Sequence, residues 1–168
     1  MLHVAKGYVT LIDRINYRIG RVMMYGIFVM IGILLWSSVS KTFFLPSLWT
    51  LEMAQFAMVT YYIMGGPYSL QLGSNVRMDL FYGEWSDRTK ASVDCFTVLF
   101  LIAYLAVLLW GGLESTQYAI EYQERSYSAW RPYMWPIKVA MIVGFFLMLL
   151  QCLSELFKDV LRLRGETV

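Results

Sequence analysis

The polar side chains best placed to contact another molecule lie at the end of the third apolar stretch and in the segment that follows it. These candidate docking residues are Glu114, Gln117, Tyr118, Glu121, Glu124, Arg125 and Arg131. The first four are separated as i, i+3, i+4 and i+7, which places them on one face of a helix. Such a face is either a solvated helix end or a docking surface for an extracytoplasmic partner protein.

A second polar group, formed by Asn75, Arg77 and Asp79, alternates with apolar residues. Arg77 and Asp79 are two positions apart, so on a helix they cannot pair with each other. The apolar and polar residues of this segment separate onto two sides, which predicts a short amphipathic helix in the membrane plane. Its polar residues either cap the helix and extend to the membrane surface, or contact a partner subunit or lipid headgroups.

Signatures of catalysis, metal binding and cofactor binding are absent from the sequence. The single histidine is His3, and the two cysteines, Cys95 and Cys152, have no metal-ligand spacing. There is no phosphate-binding glycine loop and no nucleophile elbow. A net charge of +2 is too small for a nucleic-acid footprint. We therefore expect no enzyme activity, no cofactor and no nucleic-acid partner.

Four long charge-free stretches must position these residues, in a chain that is 58% hydrophobic and 15% charged. A helix crosses the hydrocarbon core of a membrane with about 20 residues. The predicted spans are residues 22–40, 53–72, 94–115 and 135–155. The helices of a soluble four-helix bundle would carry charged faces through their middles, and these stretches do not. The sequence predicts an all-α membrane protein with one domain over residues 1–168.

Small residues in two of the spans indicate contact between helices rather than contact with lipid. The second span contains Gly65, Gly66 and Pro67 beside several hydroxyl and amide side chains, and the third contains Gly111 and Gly112. Small and hydroxyl residues allow helix backbones to approach closely in a membrane. We predict that the second span packs against a protein partner and bends near Gly65, Gly66 and Pro67.

The distribution of lysine and arginine predicts the orientation in the membrane. Ten of these residues fall in the N-terminal segment, the loop after the second span and the C-terminal segment, and four fall on the opposite side. Basic residues in short loops are enriched on the cytoplasmic side. Both termini are therefore expected in the cytoplasm.

The segment Gly73–Tyr82 resembles the Gly-His-Val-Arg-Val-Asp-Leu-Leu segment of DctQ-like proteins, the small membrane subunits of tripartite ATP-independent periplasmic (TRAP) transporters. The grouping of Trp110, Gly111 and Gly112 with Glu114 is also similar. Further similar residues near the C-terminus are Trp130, Pro132, Trp135, Pro136, Ile137, Lys138, Gly144, Leu149, Leu150, Gln151 and Glu155. The sequence departs from the family at Asn75, where histidine is common, so a role that needs an imidazole does not carry over.

The resemblance implies a bacterial inner-membrane location and two protein partners. One is a large DctM-like membrane subunit that holds the sodium and substrate sites. The other is a periplasmic DctP-like binding protein that delivers the solute, with organic acids as the usual class. The small subunit would scaffold the large one within the lipid bilayer and help dock the binding protein. Uptake would be driven by a sodium gradient.

Two other functions are open on the sequence alone. A membrane anchor for a respiratory enzyme would bind haem or quinone, and haem in such anchors generally needs histidine ligands within the spans. A small multidrug exporter that works as a dimer would need a carboxylate embedded in the membrane, whereas Glu52 and Glu114 lie at span ends. Both are weaker than the transporter-subunit interpretation.

Overall fold

The computed structural model describes residues 2–73 and 87–163 of the chain, and these residues are almost entirely helical. Apart from one isolated bridge between Arg125 and Tyr133, the described residues form no β-structure. The helices are α1 (Leu2–Met24), α2 (Gly26–Phe43), α3 (Thr50–Gln71), α4 (Asp87–Glu121) and α5 (Trp135–Leu163). The all-α class predicted from the apolar stretches is confirmed.

Helices α1 and α2 follow each other with a single turn residue, Tyr25, between them. The Tyr25 N–H donates to the Val22 carbonyl at 3.1 Å, and the Phe28 N–H donates to the Tyr25 carbonyl at 3.1 Å. Hydrogen bonds of this shorter i to i−3 type tighten the chain locally. The predicted first span at residues 22–40 is therefore the second half of a much longer helical segment.

Three of the described helical segments are long and apolar enough to cross a membrane: Lys6–Phe43, Ser92–Glu121 and Trp135–Leu161. Helix α3 has 22 residues, which is sufficient length. It is not among the three because hydroxyl, amide and glycine residues interrupt its apolar character. Its role as a fourth span therefore remains a prediction.

Helix α5 is the centre of the arrangement, since α1, α3 and α4 all pack against it. Helix α2 packs mainly on α3, and α4 packs mainly on α5. In the most apolar stretch of α5, 33% of residues are buried, compared with 6% in the stretches of α2 and α4. The helices thus form an open layer in the order α2, α3, α5, α4, with α1 crossing α3 and α5.

Two glycines that were not predicted to mediate helix packing lie where neighbouring helices approach closely. A Cβ atom at Gly144 of α5 would lie 2.2 Å from Ile63 Cγ2 and 3.2 Å from the Ile63 carbonyl carbon of α3. A Cβ atom at Gly20 of α1 would lie 2.2 Å from Tyr68 Cβ of α3. Absence of a side chain at these two positions lets the three helices pack closely.

Candidate functional site

The four helically spaced residues at the end of α4 all lie exposed on one face of that helix. Thr116 and Ala119, which alternate with them, are buried on the opposite face. The Trp110 indole N–H donates to Glu114 Oε1 at 2.9 Å. The Tyr118 ring packs against the Tyr122 ring with centroids 4.5 Å apart. Helix α4 continues to Glu121 without a break. The polar face is therefore in line with the exposed apolar residues Phe100, Tyr104 and Val107 earlier in the same helix.

The segment between α4 and α5, residues 122–134, folds back on itself as a short hairpin. The Ser126 N–H donates to the Pro132 carbonyl at 3.0 Å, and the Met134 N–H donates to the Glu124 carbonyl at 3.0 Å. Arg131 has a positive φ of 50°, an uncommon conformation for a residue with a side chain. Its N–H donates to Ser128 Oγ at 3.1 Å. These contacts give the hairpin a defined shape.

Two further candidate docking residues, Glu124 and Arg125, have side-chain partners in the hairpin and at the start of α5. Glu124 forms an ion pair with Lys138, whose ammonium also donates to the Ser115 carbonyl at 3.3 Å. The Arg125 guanidinium donates to the Tyr133 hydroxyl and lies over the Tyr133 ring, 4.3 Å from its centroid. These two residues therefore hold the hairpin in place. The other two carboxylates among the candidate docking residues, those of Glu114 and Glu121 on α4, are exposed.

Glu52, in the first turn of α3, connects that helix to the hairpin. The Ser126 hydroxyl donates to Glu52 Oε1 at 2.9 Å, while Glu52 Oε2 is buried without a hydrogen-bond partner. A carboxylate in a first helical turn is stabilised by the positive end of the helix dipole. Its contact with Ser126 fixes the hairpin relative to α3 as well as to α5.

At the opposite end of the layer, a polar network joins α1 to α5. Asp13 Oδ1 accepts hydrogen bonds from the Gln151 amide at 2.9 Å and the Ser154 hydroxyl at 3.0 Å. Asp13 Oδ2 pairs with the Lys158 ammonium at 2.7 Å. Gln151 and Ser154 are fully buried. Buried polar groups are costly unless hydrogen-bonded, so this network fixes how α1 crosses α5.

The network extends to α3 and along α1. The Asn16 amide donates to Gln151 Oε1 at 2.7 Å, and the Gln71 amide of α3 donates to the Asp13 carbonyl at 3.2 Å. Glu155 accepts from both Gln151 at 3.0 Å and Lys158 at 2.8 Å.

Sequence reasoning missed this cluster. A signal was present, since residues 151, 154, 155 and 158 recur at helical spacing, but their partners on α1 lie about 140 positions away.

The glycines and proline predicted to mediate helix packing have different surroundings. A Cβ atom at Gly66 would lie 3.3 Å from Met148 Sδ, and one at Gly112 would lie 3.5 Å from Ile142 Cγ1, both on α5. A Cβ atom at Gly65 or Gly111 would meet nothing within 4 Å. A packing role at Gly65 and Gly111 would therefore need a neighbour outside the described residues.

Pro67 is buried within α3, and helical structure continues on both sides of it. The other predicted motif, Asn75, Arg77 and Asp79, and the amphipathic helix predicted around it lie outside the described residues. Within the described residues, no group of three or more histidine, cysteine, aspartate or glutamate side chains could hold a metal ion.

Comparison with known proteins identifies one family. The family model described as "Tripartite ATP-independent periplasmic transporters, DctQ component" matches residues 30–162, well over half of the chain. The match begins within α2 and ends near the end of α5, so it covers the layer and the hairpin. No curated protein and no solved structure matches the chain.

Proposed function

The chain belongs to the DctQ component family of tripartite ATP-independent periplasmic transporters, and from this membership we propose how it serves that transporter. As the small membrane subunit, it scaffolds the large DctM-like subunit and helps dock the DctP-like periplasmic binding protein. The solute and the coupling ion bind in the large subunit, and we propose that uptake is sodium-driven and directed at organic acids.

The exposed face of α4 is the observation that carries this proposal. Within the apolar stretch, Phe100 is 64% exposed, Tyr104 60% and Val107 71%. These residues follow one another at three- and four-residue spacing, and the same face continues into the polar residues Glu114 and Glu121. We propose that the apolar part contacts the large membrane subunit and that the polar part contacts the binding protein.

The middles of the apolar stretches contain no charged residue. Secondary transporters generally place ionisable groups or broken helices near the middle of the membrane, where ions and substrate bind. A chain without them is suited to a supporting role. This supports the assignment of sodium and solute binding to the large subunit.

We further propose four membrane crossings with both termini in the cytoplasm. Helix α3 lies along α1 and α2. Near its end, the Gln71 amide donates to the Asp13 carbonyl of α1, and at its start the Thr50 hydroxyl donates to the Ser37 hydroxyl of α2 at 3.0 Å. Its 22 residues extend about 33 Å at 1.5 Å each, close to the thickness of the hydrocarbon core. Helix α3 is therefore long enough to cross the hydrocarbon core alongside α1 and α2.

Charge reversal on the polar face of α4 tests the docking role. Glu114→Lys combined with Glu121→Lys should reduce solute uptake about tenfold, because like charges across an interface slow association and weaken binding. Assembly with the large subunit should be unchanged, as measured by co-purification. Glu124 is left intact in this test because it pairs with Lys138.

The matched control is Lys41→Glu, a reversal at an exposed position at the end of α2, which should leave uptake at the wild-type level. Wild-type uptake by the Glu114→Lys, Glu121→Lys variant would refute docking at this face. Loss of assembly in that variant would show that the face contacts the large subunit instead.

A further inference from the structure

An apolar groove of about 650 Å³ lies on the side of the molecule that carries the hairpin. It runs between α2 and α3 and is closed at one end by residues of the hairpin and the start of α5. The residues that define its walls include Val29 and Ile33 of α2, Phe56 and Ala57 of α3, and Trp130 and Trp135. Its volume falls within the range of about 300–1,000 Å³ typical of small-ligand sites.

The length of the groove matches the depth of one leaflet of a lipid bilayer. Along α3 it extends from Met53 to Tyr61, which is about 12 Å at 1.5 Å per residue. One leaflet contributes about half of the 30 Å hydrocarbon core. The tryptophan side chains at its closed end are typical of the boundary between hydrocarbon and water. The groove thus begins at that boundary and ends near the middle of the membrane.

Two arginines lie at the polar end of the groove. Arg125 stacks on Tyr133, which lines the groove, and Arg131 is adjacent in sequence to two further lining residues, Trp130 and Pro132. Both side chains are exposed. Neither forms an ion pair with a carboxylate in the described part of the chain, although guanidinium groups bind phosphate strongly.

We propose that this groove binds a phospholipid, with its phosphate at Arg125 and Arg131 and an acyl chain between α2 and α3. Charge complementarity favours this occupant, because an apolar groove with two guanidinium groups near its polar end, neither in an ion pair within the described residues, matches an acyl chain that carries a phosphate. Arg125 and Arg131 are thereby assigned to lipid, whereas binding-protein docking is assigned to α4. The two proposals use different residues and can fail separately.

Native mass spectrometry of the full chain, purified in mild detergent, tests the headgroup contact. The probes are phosphatidylglycerol and a diacylglycerol with the same acyl chains. Wild-type protein should retain phosphatidylglycerol more strongly than diacylglycerol. Arg125→Gln with Arg131→Gln should weaken phosphatidylglycerol retention about tenfold, whereas the charge-preserving Arg125→Lys with Arg131→Lys should keep most of it. Lys41→Gln, at a cation outside the groove, should match wild type.

Equal retention of the two lipids by wild-type protein would overturn the proposal. The same conclusion would follow if the Arg125→Gln, Arg131→Gln variant retained phosphatidylglycerol as wild type does.

Filling the groove tests the position of the acyl chain. Ala57→Phe should abolish retention of both lipids at this site, whereas Ala106→Phe, at an exposed position on α4, should retain them. A photoreactive residue at position 57 of the assembled transporter should cross-link to lipid. Cross-linking to the large subunit, or to a second copy of this chain, would identify a protein occupant and overturn the proposal.

Discussion

Asp13 is the residue on which three helices converge. Its carboxylate contacts Gln151, Ser154 and Lys158 of α5, and its carbonyl accepts from Gln71 of α3. Nothing in the local sequence distinguishes Asp13 from an ordinary charge on a helical tail, because its partners are distant along the chain. By contrast, the exposed face of α4 could be predicted, since helical spacing alone places Glu114 and Glu121 together.

Replacing Asp13 with alanine should lower the thermal stability of the purified chain. The change removes the acceptor for Ser154, one of two acceptors for Gln151 and one carboxylate partner of Lys158. A buried group left unsatisfied costs about 1–3 kcal/mol. A clear decrease in melting temperature in detergent is expected. Arg14→Ala, at the exposed neighbouring position, should melt close to wild type. An unchanged melting temperature for Asp13→Ala would show that the network contributes no net stability.

At the scale of helices, the sequence predicted where apolar segments lie but not which residues set their packing. Gly65 and Gly66 were selected because they adjoin Pro67 in a polar span, yet the glycine with the tightest contact between α3 and α5 is Gly144. The sequence around a lone glycine in an apolar stretch does not indicate which residue of a neighbouring helix packs against it. The turn at Tyr25 was missed for a related reason, because the chain there contains no proline and remains apolar on both sides.

Gly144→Ala should destabilise the packing of α5 on α3. The added methyl group would overlap Ile63 and approach its backbone, so the helices must separate, and overpacking of this kind typically costs about 1–3 kcal/mol. Thermal unfolding in detergent measures the effect. The matched control is Gly65→Ala, where the new methyl group meets nothing within 4 Å. Equal stability of the two variants would contradict the close approach described for Gly144.

At the scale of the whole molecule, the helices form an open layer rather than a closed bundle. Helix α4 is covered on one side by α5, while its other side exposes large apolar residues such as Val107 and Trp110. Hydrophobic patterning predicted the helices and their membrane character, but it could not predict an open layer. Lipid-facing residues and subunit-facing residues are equally apolar, so their sequences look alike.

Cysteine accessibility tests the proposed four crossings. With Cys95 and Cys152 replaced by alanine, a membrane-impermeant maleimide applied to intact spheroplasts should label Leu45→Cys and Tyr127→Cys, both at highly exposed positions. Gly7→Cys should react only after permeabilisation, because the lysine and arginine distribution predicts a cytoplasmic N-terminus. If α3 does not cross the membrane, the cysteines at positions 45 and 127 will report opposite sides.

Co-purification from native membranes tests whether this chain is the scaffold of a larger transport complex. The tagged chain should be isolated in mild detergent and its partners identified by mass spectrometry. We predict that a large polytopic membrane protein is retained in stoichiometric amount. Val107→Trp on the exposed face of α4 should release it, whereas Phe28→Trp, similarly exposed on α2, should not. Recovery of the chain alone, as a dimer or with a soluble dehydrogenase would show that it does not scaffold such a complex.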